Sequence, residues 1–83
     1  MAAGDWETAL QHYNQAVSLA PGDSELLFAR GMIYYQLDKL NDAEASIQAA
    51  IDMARLYSDI AYYKLQLQEV RKAQLGSPRA TAL

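Results

Sequence analysis

Leu27-Phe28-Ala29-Arg30-Gly31-Met32-Ile33-Tyr34-Tyr35 is the stretch on which the fold turns. At helical spacing, Leu27, Gly31 and Tyr34 fall on one face as large, small, large, so a neighbouring helix can approach closely over the glycine. Leu26, Ile33 and Leu37 form a second apolar stripe beside the first, and the helix therefore buries more than one side. Phe28, Met32 and Tyr35, at i, i+4 and i+7, make a third stripe that is separate from the Leu27-Gly31-Tyr34 face.

Outward from this helix the punctuation is explicit on one side and weak on the other. Asp23 or Ser24 can cap its start, and it ends near Gln36 to Asp38. Before it, Trp6, Ala9, Leu10, Tyr13, Ala16, Val17 and Ala20 predict an amphipathic helix over about 6–20. Pro21 stops that helix, because it has no amide to donate and pushes Ala20 out of helical backbone. After the central helix, Asn41 with Glu44 offers a capping box for a third helix over about 41–55. Its apolar face is Ala43, Ile47, Ala50, Ile51 and Ala54, and its polar face Asp42, Glu44, Gln48 and Asp52. No Gly or Pro lies between Gly31 and Gly76, so the next boundary rests on Ser58 as a cap and a fusion of the third and fourth helices stays open. The fourth helix is expected over 58–75, with Ile60, Ala61 and Leu65 on a narrow apolar seam and Lys64, Gln68, Arg71 and Lys72 on a polar face. Gly76-Ser77-Pro78 ends it, and the tail, 76–83, is expected to be disordered.

Composition supports helices and excludes several kinds of function. The chain has 15 Ala and 11 Leu against 4 Ile and 2 Val, which favours helix over sheet. With 83 residues and no cysteine, one domain held by packing alone is expected, without disulfides, thiolate zinc sites or thiol nucleophiles. The net charge of −3 gives no basic excess for nucleic acid or an anionic membrane surface, and no run approaches a membrane span. A cytoplasmic location is the expectation.

Self-comparison changes the reading of the helices. At a shift of 34 residues Trp6 falls on Leu40, Ala9 on Ala43, Leu10 on Glu44, Tyr13 on Ile47, Ala16 on Ala50, Val17 on Ile51 and Leu19 on Met53. Six of these seven pairs keep apolar character. The pattern resembles the tetratricopeptide repeat, a 34-residue helix-turn-helix unit. Its large, glycine and tyrosine columns fall on Leu27, Gly31 and Tyr34, its alanine, aromatic and alanine columns on Ala43, Ile47 and Ala50, and the first helix matches with Ala9, Tyr13, Ala16 and Pro21. Arg30, Ile47 and Arg55 depart from the family's leucine, aromatic and proline.

The resemblance implies an all-α, antiparallel arrangement of about four helices over 4–75: the second half of a repeat (4–22), a full repeat (24–57) and a C-terminal capping helix (58–75). It implies a protein–protein interaction module with no catalysis and no cofactor, whose concave groove takes an extended or helical peptide with an apolar anchor. The columns that point into that groove fall on Glu25, Phe28, Met32 and Tyr35 of the second helix and on Asp59, Tyr62, Gln66 and Glu69 of the fourth. The alternative is a structural or self-association segment of a longer solenoid, using the open N-terminal edge, including a homodimer. Some relatives grip the C-terminal carboxylate of cytosolic chaperones with lysine, asparagine and arginine. Here those columns fall on Ala29, Asp59 and Tyr63 in one register, or Phe28, Met32 and Tyr63 in the other, so that partner is not expected.

Residues that invite a chemical reading lack the company chemistry needs. His12 is the only histidine and is expected at the surface. The serines sit in no nucleophile turn, and Asp38, Asp42, Glu44 and Asp52 in no calcium loop.

Overall fold

The computed structural model describes residues 5–76. They form α1 (Asp5–Leu19), α2 (Ser24–Gln36), α3 (Leu40–Met53) and α4 (Tyr57–Leu75). The connections are three or four residues, short enough to make successive helices antiparallel. The end of α4 accordingly meets the start of α3, where Gln74 Nε2 donates to the Leu40 carbonyl at 3.5 Å and to Asn41 Oδ1 at 3.0 Å. The molecule measures 41 × 31 × 19 Å, about two helix diameters in its thinnest direction.

Each helix boundary has its own device. The Asp23 carboxylate accepts the Glu25 and Leu26 amides at 3.0 and 3.2 Å, so Asp23 is the cap of α2. At the other end of α2, Lys39 N–H donates to the Tyr34 carbonyl and Asp38 N–H to the Tyr35 carbonyl, with Asp38 at φ 60. That is a Schellman closure with an aspartate in the left-handed position usually held by glycine. The boundary between α3 and α4 is real, which settles the question of fusion. Ala54 (ψ 142) and Leu56 (ψ 132) take extended backbone and turn the chain without Gly or Pro. Two expected caps do not form. The start of α3 is Lys39 with no side-chain cap bond, because Asn41 and Glu44 face α4 and bond Gln74 instead. The start of α4 is Leu56, so Ser58 lies inside the helix.

The core sits where α3 is enclosed. Ala43, Ile47 and Ala50 are fully buried, with Leu27, Tyr63, Leu67 and Val70 around them. A Cβ placed on Gly31 would lie 2.6 Å from Ile47 Cγ1 and 3.3 Å from both the Ala43 carbonyl and the Ile47 amide. Only the glycine lets α2 come this close to α3. Arg30, one position before it, donates from Nε to Ser46 Oγ at 3.1 Å and from Nη1 to Asn14 Oδ1 at 3.3 Å. A guanidinium in a leucine column thus links α1, α2 and α3, and satisfies the buried Ser46 hydroxyl.

On α4 the expected apolar seam is only partly right. Ile60 is half-buried, but Ala61 and Leu65 are exposed, whereas Tyr63, Leu67 and Val70 are buried, at spacings of four and three. Among the described residues no helix follows α4, so it buries the side that meets the preceding helices. Lys64, Gln68 and Lys72 face solvent as expected, but Arg71 reaches back to Glu44 at 3.1 Å. Of the expected tail, Gly76 closes α4 and 77–83 lie outside the described residues, as does Gly4.

Candidate protein-interaction surfaces

Among the described residues, the surface between α2 and α4 is built on aromatic packing. Phe28 stacks on Tyr63 with centroids 4.3 Å apart and planes at 18°, and meets the Tyr62 ring at 5.5 Å and 60°. The two tyrosine rings are 6.3 Å apart, so the three form one cluster. Tyr63 is its buried foot and Tyr62, 52% exposed, its outer wall. Burial pushes the Tyr63 phenol above its ordinary 10.0; a side-chain hydrogen bond with Ser24 opposes this, and the charges of Asp59, Glu25 and Asp23 add to it. Three carboxylates therefore surround this end of the face.

The expected groove residues divide. Glu25 and Tyr62 are exposed, while Phe28, Met32, Tyr35, Asp59 and Gln66 are half-buried. Phe28, Met32 and Tyr35 also pack against the core, and Phe28 holds the face up as well as lining it. Phe28 is covered by α4 and not left open by the edge of α1, because the Tyr62 and Tyr63 rings lie against it. Met32 turns the other way, toward α1. Tyr63 is the member that sequence reasoning missed. Its signal was present in Tyr63, Leu67 and Val70 as an i, i+4, i+7 stripe.

The second surface is an apolar hollow of about 370 Å³ between α1 and α2, lined by Trp6, Ala9, Tyr13, Ala29, Met32, Ile33 and Gln36. Shifted by 34 residues, its α1 side becomes Leu40, Ala43 and Ile47, and its α2 side Tyr63, Gln66, Leu67 and Val70. Of these, Ala43, Ile47, Tyr63, Leu67 and Val70 are all buried in the core around α2. The hollow is thus the site that α2 fills one repeat later.

The helix pairs, the glycine contact and this 34-residue correspondence meet the description of the tetratricopeptide repeat, whose family model matches residues 1–74. The chain belongs to the tetratricopeptide repeat family. No curated protein and no solved structure matches it. Tetratricopeptide repeats generally mediate protein–protein interaction and are typically non-catalytic. Among the described residues no group of His, Cys, Asp and Glu is gathered as a metal would require, and no helix is long and apolar enough to cross a membrane.

Proposed function

We propose that this tetratricopeptide-repeat chain is a non-catalytic interaction module whose partner, a peptide or protein segment, lies along the face built by α2 and α4. The observation that carries the reading is Tyr62, an exposed aromatic ring held against Phe28 at 5.5 Å on packed helices. Rigid aromatic anchors of this kind supply much of the energy of peptide recognition. Removing the outer wall should therefore affect binding more than folding. Peptides selected from a random displayed library against the parent domain are expected to lose most of their affinity for Tyr62→Ala, with the melting temperature within a few degrees of the parent. Selected peptides that bind Tyr62→Ala and the parent equally would place recognition elsewhere. Phe28→Ala is less informative, since that ring also supports Tyr63.

The face lacks the lysine, asparagine and arginine of the carboxylate clamp and carries Glu25 and Asp59. The acidic C-terminal tails of cytosolic chaperones are accordingly not partners, and calorimetric titration with such a tail should show no heat of binding.

The hollow favours a second reading, self-association through the edge of α1. Light scattering across a concentration series would then show a dimer, which Met32→Glu in the hollow wall would dissociate.

A further inference from the structure

The face between α2 and α4 has a chemical bias that narrows its partner. Glu25 lies one turn before Phe28 on α2, and Asp59 one turn before Tyr62 on α4, so each carboxylate shares a side with its ring. Glu69 extends the same side of α4, and none of the expected groove positions holds Lys, Arg or His. Among the described residues, Glu69 is the one of these three carboxylates in an ion pair, with Lys72 at 3.2 Å. Arg30 is bonded to Ser46 and Asn14, and Arg71 to Glu44, and neither is paired with Glu25 or Asp59.

We propose that the partner segment on this face is basic, with a lysine or arginine side chain lying over the exposed Tyr62 ring on the side that carries Glu25 and Asp59. The inference rests on the interaction-module reading and adds the charge of the partner to it. An aromatic face attracts a cation through its ring quadrupole, and flanking carboxylates hold the same cation by charge. An acidic segment would meet uncompensated like charge at the same place. Glu25 and Asp59 also stand in the first turns of α2 and α4, where they favour the helix dipoles. A purely structural role of that kind would show in stability and be indifferent to the charge of a ligand.

The test uses the whole chain and three fluorescent peptides of one length: lysine alternating with leucine, and the same peptide with glutamine or glutamate in place of every lysine. Fluorescence anisotropy is read at low and at physiological salt. The lysine peptide is expected to bind and to weaken with salt, with the glutamine peptide weaker and the glutamate peptide silent. Its affinity should fall about threefold to tenfold in the double variant Glu25→Gln/Asp59→Asn and in Tyr62→Ala, while Tyr62→Phe stays near the parent. A control that removes the same charge from the far side of α3, Asp42→Asn/Asp52→Asn, should leave binding within about twofold. Equal binding of the lysine and glutamine peptides, with Tyr62→Ala weakening both, would overturn the basic partner and leave the interaction module standing. Lysine-peptide binding that falls as much in the control as in the double variant would mark diffuse attraction and overturn the proposal. No binding of any peptide at millimolar concentration would overturn both.

Discussion

Ala9-Tyr13-Ala16 on α1 and Ala43-Ile47-Ala50 on α3 have the same pattern, 34 residues apart, and different fates. The α3 triplet is fully buried, whereas all three residues on α1 remain half-exposed. The difference is the second neighbour. α3 is clasped by α2 and α4, while α1 packs chiefly on α2 and borders the hollow. A small-large-small stripe thus specifies how closely a helix can be approached, and the partner that arrives decides what is buried.

A second contrast lies at the ends of these pairs. Leu10, Leu37 and Leu40 correspond, at the same shift, to Glu44, Arg71 and Gln74. The first three are half-buried leucines. The later three form a polar cluster, with Arg71 Nε 3.1 Å and Gln74 Nε2 3.2 Å from the Glu44 carboxylate. The junction of α3 with α4 therefore carries a titratable carboxyl at a position where its predecessor carries a leucine.

The largest expected effect separates the two triplets directly. Ile47→Ala should cost about 2–5 kcal/mol, the range for emptying a closed core site. Tyr13→Ala, at the half-exposed counterpart, should cost well under half as much in the same denaturant titration. Equal losses would mean that α1 is covered in solution and would break the contrast. Gly31→Leu comes next, at about 1–3 kcal/mol, since its side chain would have to displace Ile47 and the backbone of α3. A melting temperature within a few degrees of the parent would show that α2 can stand further from α3 than the contact distances say. The smallest effect concerns the polar cluster. Hydrogen bonds from Gln74 and then Arg71 hold the Glu44 carboxyl below its ordinary 4.5. A lowered folded pKa means that the contribution is complete above the ordinary value and is lost as pH falls through the folded one. Glu44→Gln should therefore flatten the acid limb of melting temperature against pH, leaving the neutral plateau nearly level, and an unchanged acid limb would detach Glu44 from that limb. The exposed position of the pair keeps this effect small.

Much of this was legible in the order of residues, and the gaps have particular causes. Pro21, Asp23 and Gly31 act through their own backbone or nearest amides, so helix ends and the close approach of α2 could be read locally. Asn41, backed by Glu44, and the more weakly marked Ser58 were both read as caps, but Asn41 was drawn to Gln74 and the chain turned at Ala54 and Leu56. On the candidate face, Phe28 and Tyr62 were legible as stripe members. That they touch depended on Tyr63, whose role comes from α4 leaning on α2.

The sequence by itself determined an all-helical chain, its 34-residue repeat and the glycine that lets two helices pack, because these follow from periodicity, backbone freedom and side-chain size along one chain. Only the tertiary structure decided which face of α4 is buried, why Arg30 can stand in a leucine column, and that the α1 stripe stays half-open. Each of those depends on which surface comes to lie opposite, and a helix with three apolar stripes does not name its neighbour.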